Sequence, residues 1–137
     1  MDISAFKRDA SAVESGRWID EIPGLGDVRL KVRGLSSREF DQVRGRLLRA
    51  LPRNERDRDG TPLPAAATRC FAVALSESVL LDWDGITDNG SVVAYDPSLA
   101  KKWLTEPDYE PFRDAVTWAA RVADNEAAKS AASIEKN

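Results

Sequence analysis

A change of hydrophobic period after the first quarter of the chain is the sequence feature that most constrains this fold. Before it, apolar and basic side chains alternate, so that Val28, Leu30 and Val32 lie on one face of an expected strand. Residues 17–22 form the expected partner strand, since a proline and two glycines follow them. An isolated hairpin is only marginally stable in water, so we expect the hairpin 17–34 to pack its apolar face on helices.

The period becomes helical directly after the hairpin. Ser36 is the expected N-cap, and Glu39 three residues later completes a capping box. Leu35 and Phe40 occupy the two positions of a hydrophobic staple. The sequence therefore predicts a helix from residue 37 to about residue 51, where a proline follows.

This helix has an apolar face and a basic face. The apolar stripe consists of Phe40, Val43, Leu47 and Leu51. On the opposite side we select three candidate partner-binding residues, Arg38, Arg46 and Arg49. A basic stripe is the usual footprint for phosphate, but the sequence pI is about 5.1 and the charges of the following loop alternate in sign. We therefore expect a protein partner or a plainly solvated surface rather than nucleic acid.

The rest of the chain alternates between loops and helices. The segment 52–64 contains three prolines and dense mixed charge, which predicts an exposed, mobile loop. Apolar residues on nearly every side predict a central buried helix from about Ala65 to Leu81. Asp96 and Pro97 are the expected N-cap and first residue of a short helix, and a last helix begins between residues 109 and 111.

These segments predict one compact α+β domain, mainly α, with three to four helices and an N-terminal antiparallel hairpin. Residues 1–16 are interpreted as a flexible arm, residues 17–124 as the globular part and residues 125–137 as a flexible tail. Most of the four tryptophans are expected to anchor the core. Trp118 lies off the apolar stripe of the last helix and is a further candidate partner-binding residue. Cys70 is expected to be a small buried hydrophobe.

The composition limits the chemistry of the chain. It has no histidine and one cysteine, which excludes Ser-His and Cys-His nucleophilic pairs, histidine metal sites and Cys-rich clusters. The acidic segment after residue 81 lacks the spacing of a calcium loop, and the glycines lack a nucleotide-binding fingerprint. We therefore expect a protein that is not an enzyme, with no metal and no cofactor. Without a signal-peptide core or the roughly 20 apolar residues of a membrane span, the expected location is cytoplasmic.

Charge is distributed unevenly along the chain. Residues 1–69 hold 14 basic and 11 acidic side chains, whereas residues 70–137 hold 6 and 12. This polarity is compatible with an acidic partner at one end or with head-to-tail self-association. A solvated surface with uneven charge is the simpler interpretation.

Several short hydrophobic and turn motifs are distributed along residues 17–137. They are Trp18-Ile19 leading into the segment 28–40, Leu80-Leu81-Asp82-Trp83-Asp84-Gly85-Ile86, Val92-Val93-Ala94-Tyr95 before the segment 100–104, Pro111-Phe112 and the ending Lys136-Asn137. Together these motifs resemble the small tail assembly chaperones of long-tailed bacteriophages and prophages.

The resemblance implies a non-enzymatic protein that binds the tape measure protein of the same phage, keeps it soluble and helps recruit tail tube subunits. It also implies action in the bacterial cytoplasm and absence from the mature virion. The residues themselves leave two other classes of protein possible. One is a nucleic-acid-binding regulator that uses the basic helix face, and the other is a head–tail adaptor that remains in the particle.

Overall fold

The computed structural model describes residues 2–7 and 10–136, so Met1, Arg8, Asp9 and Asn137 lie outside the described residues. These four belong to the expected arm and tail. The main elements in chain order are α1 (Ala10–Ser15), β1 (Arg17–Ile19), β2 (Arg29–Val32), α2 (Arg38–Arg49), α3 (Pro64–Ala74), β3 (Leu80–Asp84), β4 (Thr87–Asp88), β5 (Ser91–Val92), α4 (Pro97–Thr105) and α5 (Glu110–Lys136). Short 3₁₀ turns lie at Ile3–Phe6, Arg53–Glu55 and Pro107–Tyr109.

The predicted hairpin is confirmed. β1 and β2 pair in antiparallel register, with Ile19 opposite Leu30. Leu30 and Val32 are fully buried, whereas Arg29, the first residue of β2, is exposed. The apolar face of the hairpin therefore forms part of the core, as its period of two indicates.

A third strand corrects the predicted helix Ala65–Leu81. α3 ends at Ala74 and continues into one π-helical turn, Leu75–Val79, after which the chain enters β3 and pairs antiparallel with β2. Leu80 and Trp83 both point into the core from β3. The buried backbone groups of β2 need hydrogen-bond partners on both sides, and β3 supplies the second set. An apolar run of this length cannot be assigned to helix or strand from its period alone.

The start of α2 is one residue later than predicted. The N-cap is Ser37, whose hydroxyl accepts a hydrogen bond from the backbone N–H of Phe40 at 3.2 Å. The capping box on Ser36 is therefore wrong. The Ser36 hydroxyl instead donates to Oδ1 of Asp124 on α5, which joins the end of the hairpin to the last helix. The tertiary contact with α5 determines which of the two serines caps the helix.

The two C-terminal helices begin where the sequence indicates. Asp96 caps α4 by accepting from the backbone N–H of Ser98 at 2.8 Å, and Pro97 is the first residue of the helix. α5 begins at Glu110 and continues as helix to Lys136, so the segment expected to be a tail adopts helical structure over residues 125–136. Ala127 is fully buried. The segment is rich in alanine, the strongest helix former, which favours this continuation of the helix. Its flexibility stays a prediction.

The core lies between the three-stranded sheet and the helices. α5 contributes a stripe of small buried side chains, Ala115, Val116, Ala119, Ala120 and Ala123. Small residues allow α5 to approach the sheet closely, and α5 contacts both β1 and β2. The fold is a compact α+β arrangement that is mainly helical, as predicted.

Two segments predicted to be flexible make defined contacts. In α1, Val13 is buried and its carbonyl accepts from the N–H of Gly34 at 3.4 Å. In the loop 52–64, Arg56 donates to the backbone oxygens of Leu51 and Gly60. The mobility of both segments stays a prediction. Both segments nevertheless form hydrogen bonds with neighbouring parts of the domain, through the Val13 carbonyl and through the Arg56 side chain.

Candidate functional site

An aromatic cluster lies where β3, α4 and the start of α5 meet. The Trp83 and Trp103 rings stack with centroids 5.1 Å apart, and Phe112 contacts both rings edge-on at 6.4 and 5.7 Å. Tyr109 lies against Trp103 at 5.9 Å, and Tyr95 meets Trp83 at 5.0 Å. Such pairs fix one another's orientation, so the cluster is a rigid apolar platform.

Hydrogen bonds hold two rings of this platform in place. The indole N–H of Trp83 donates to the carbonyl of Val93 at 2.8 Å, and the Tyr95 hydroxyl donates to the carbonyl of Leu80 at 3.2 Å. Burial, followed by the nearby negative charges of Asp82 and Asp96, raises the pKa of Tyr95 above its ordinary value. The Tyr95 hydroxyl therefore stays protonated, and able to donate, throughout the neutral range.

A groove of about 700 Å³ lies over this platform. Its apolar lining comes from five separate segments of the chain and consists of Leu25, Val28, Ile86, Val93, Leu99, Trp103, Tyr109 and Phe112. Gly85, Thr87 and Tyr109 are exposed, so the groove opens to solvent. A volume in this range with a mainly apolar lining is typical of a binding site.

The groove lining holds one acidic and one basic residue. Asp88 and Lys102 are both exposed to solvent. Within residues 2–7 and 10–136, neither side chain has an ion-pair partner. The two charges offset each other, so the lining itself has no net formal charge.

The candidate arginines lie on a different surface. Arg38, Arg46 and Arg49 are exposed on α2, outside the groove. Arg46 forms an ion pair with Glu77 at 2.9 Å, which partly neutralises this face. Trp118 is 38% exposed on α5, so it is partly accessible, as its position on the helix predicts. The structure does not bring Trp118 or the three arginines into the groove.

Trp18 is 39% exposed, so it is not one of the tryptophans that anchor the core. The guanidinium of Arg29 lies over its ring at 4.9 Å and also pairs with Asp84 at 3.0 Å. The cation over the ring forms a cation–π contact, while the indole stays partly exposed outside the core. Cys70, by contrast, is buried as predicted.

The groove was not identified from the sequence, although its residues were singled out for other reasons. By sequence, residues 103 and 112 lie within expected helices, residue 109 lies at the expected start of the last helix, and the turn around Gly85 lacks the spacing of a calcium loop. No group of three or more potential metal ligands occurs in the part of the chain that the structure describes. No helix among the described residues is long and apolar enough to span a bilayer.

The chain matches a known protein family over most of its length. The model of a family described as YdaY prophage protein matches residues 35–137, which include α2 and all elements after it. No curated protein and no solved structure matches this chain. Within the matched region lie the aromatic platform and most of the groove, whereas Leu25 and Val28 precede it.

Proposed function

This chain belongs to the YdaY prophage protein family, and from that premise we propose that it acts as a tail assembly chaperone. In this role it binds the tape measure protein of its own prophage and keeps it soluble until tail tube subunits assemble around it. A prophage gene product with this role works in the cytoplasm of the host and leaves the particle before maturation. It has no catalytic step.

The open apolar groove is the observation that carries this proposal. A chaperone must cover apolar surface on its client, and it must release that surface when the permanent partner arrives. A rigid aromatic platform under an open groove offers apolar contact area without a large loss of side-chain entropy. Trp103 and Tyr109 belong both to this platform and to the lining of the groove.

A second surface is available for the tail tube subunit. Arg38, Arg46 and Arg49 lie outside the groove, so a client in the groove leaves them accessible. We assign these arginines and Trp118 to contacts with the tube protein or with a second copy of the chain. Arginine and tryptophan are enriched among residues that dominate interface energies.

Coexpression with the tape measure protein tests the proposal. The full chain and the tape measure gene of the same prophage are expressed together in the host, and the soluble fraction of the tape measure protein is measured. We expect solubility to depend on the chaperone and to fall with Leu99→Gln, which places an amide in the groove. Leu63→Gln is the matched control, because Leu63 is 40% exposed and lies outside the lining.

The outcomes separate the alternatives. A tape measure protein that is equally soluble without this chain contradicts the chaperone role. Stable incorporation of the chain into purified tails supports a head–tail adaptor instead. Loss of solubility with both leucine variants would assign client binding to a surface other than the groove.

A further inference from the structure

We propose that the chain forms a two-fold symmetric dimer in which the α5 helices of two copies pack antiparallel through one exposed stripe. The stripe consists of Asp114, Trp118, Arg121 and Asn125. The occupant of the Trp118 surface is therefore a second copy of the chain rather than the tube protein, and the dimer does not depend on the chaperone role. The spacing of these residues, their exposure and the order of their charges support the proposal.

The spacing of the stripe is that of paired helices. Its residues follow one another at intervals of four, three and four positions. At about 100° per residue, they fall within roughly 60° on the surface of the helix. The seam between two packed helices uses the same alternating intervals. α5 has 27 residues and is therefore about 40 Å long, which lets two copies share several turns.

The stripe lies on the side of α5 that faces away from the domain. All four of its residues are exposed, and Trp118 keeps 38% of its surface accessible. The other side of the helix carries the small side chains that pack in the core, among them Ala119 and Ala123. Within residues 2–7 and 10–136, neither Asp114 nor Arg121 has an ion-pair partner. The fold therefore leaves both charges available to a partner.

The order of the charges makes the stripe complementary to itself in one orientation. The midpoint between Asp114 and Arg121 lies next to Trp118 in the chain. A two-fold axis at this midpoint places each Asp114 level with Arg121 of the second copy, and the two Trp118 rings then lie beside the axis. A parallel pair would instead place like charges together at both positions. Charge therefore selects the antiparallel arrangement.

The dimer should be weak, because Trp118 is the only large apolar side chain of the stripe. Stable interfaces bury about 1,200–2,000 Å² in total, and one helix face per copy lies at the low end of this range. We expect a dissociation constant between about 1 μM and 1 mM. Sedimentation velocity of the full chain over a range of concentrations measures it. The mass should rise from 15.1 kDa to twice this value and no further, because a two-fold interface closes on itself. A monomer at every concentration, or growth beyond the dimer, overturns the proposal.

Exchanging the charges tests the pairing directly. Asp114→Arg brings only positive charges to the seam of its own dimer, and Arg121→Asp brings only negative ones. Each variant alone should dimerise about tenfold more weakly at low salt. An equimolar mixture of the two variants restores both ion pairs, and so does a chain that carries both changes. Both should dimerise as the unmodified chain does, and failure of the doubly changed chain to do so overturns the antiparallel arrangement.

Matched variants locate the effect on α5. Asp59→Arg and Arg58→Asp make the same changes of charge at exposed positions of the loop 52–64 and should leave the dissociation constant unchanged. Circular dichroism confirms that all variants are folded. The differences between the charge variants should shrink near 1 M salt, where the screening length is only about 3 Å. Equal effects of the α5 variants and the loop variants overturn the assignment to α5.

Trp118→Gln tests the apolar centre of the interface. It should weaken the dimer about tenfold or more, since an aromatic residue near the centre of an interface commonly dominates its energy. Trp18→Gln is the matched control, because Trp18 is 39% exposed but lies on β1. A dimer that Trp118→Gln leaves unchanged overturns the position of the axis.

The dimer and the chaperone role can fail separately. If the tape measure protein stays insoluble while the chain dimerises as expected, only the chaperone role fails. If a monomeric chain keeps the tape measure protein soluble, only the dimer fails. A monomeric chain that loses the tube protein in a pull-down with Trp118→Gln overturns the dimer and assigns Trp118 to the tube protein.

Discussion

Ser37 carries a testable consequence at the scale of single residues. Its hydroxyl caps α2 and its side chain is fully buried, so Ser37→Ala leaves the N–H of Phe40 without an acceptor. We expect a loss of about 0.5–2 kcal/mol in the free energy of unfolding, measured from the midpoint of a urea titration. The matched variant is Ser36→Ala, which removes an exposed hydrogen bond to Asp124 and should cost less. If Ser36→Ala lowered the free energy of unfolding more than Ser37→Ala, Ser36 rather than Ser37 would be the N-cap of α2.

Adjacent serines show why residue roles are only partly predictable. The sequence correctly indicated a serine cap in front of Phe40, because only a short side-chain oxygen satisfies the first free amides of a helix. It could not decide between Ser36 and Ser37. That choice depends on Asp124, which is 88 positions from Ser36 in the chain and reaches it only after α5 has packed. The same holds for Trp18, whose ring contacts the guanidinium of Arg29 from the neighbouring strand.

The end of α5 gives a prediction at the scale of elements. Ala127 is fully buried although it lies beyond the expected end of the helix, whereas Ala128 is exposed. Ala127→Asp places an unpaired carboxylate in an apolar contact, and we expect a loss of about 2 kcal/mol or more. Ala128→Asp is the control, since it makes the same change of charge and helix propensity at a solvated position. Thermal unfolding of both variants measures the difference, and equal melting temperatures would show that this part of α5 does not pack.

Whole elements were predicted where a local signal defines them. The hairpin follows from alternation, and α4 follows from the Asp96 cap with its proline. β3 was missed because its assignment is set by a partner far away in the chain. Val32 lies opposite Leu80, and Leu30 lies opposite Trp83, so the hairpin determines that this apolar run becomes a strand. Local propensity is overridden when tertiary pairing satisfies buried backbone groups.

At the scale of the whole molecule, the groove exists only because five segments meet. Leu25 comes from the hairpin connection, Ile86 and Val93 flank β4 and β5, and Leu99 and Phe112 come from two helices. The position of each of these residues in the sequence is explained by its own helix, strand or turn. The spacing between them matches no binding motif. Sequence reasoning therefore predicted the class of the fold but assigned binding to the arginines of α2, which form the most regular local pattern.

The arginine face of α2 distinguishes a protein-binding chain from a nucleic-acid-binding one. Replacing Arg38, Arg46 and Arg49 together with glutamine should leave folding nearly intact, since all three are exposed and the ion pair of Arg46 with Glu77 is worth at most about 1 kcal/mol. The unmodified chain should bind duplex DNA no more tightly than about 10⁻⁴ to 10⁻⁶ M at physiological salt, which is the range of non-specific contact. A mobility-shift assay measures this affinity. The affinity should depend little on salt because nearby carboxylates already neutralise part of the face.

The triple variant should lose recruitment of tail tube subunits in a pull-down. It should still keep the tape measure protein soluble, because the groove is unchanged. Submicromolar binding to DNA that disappears in the triple variant would instead make this face a phosphate-binding surface and the chain a nucleic-acid-binding regulator.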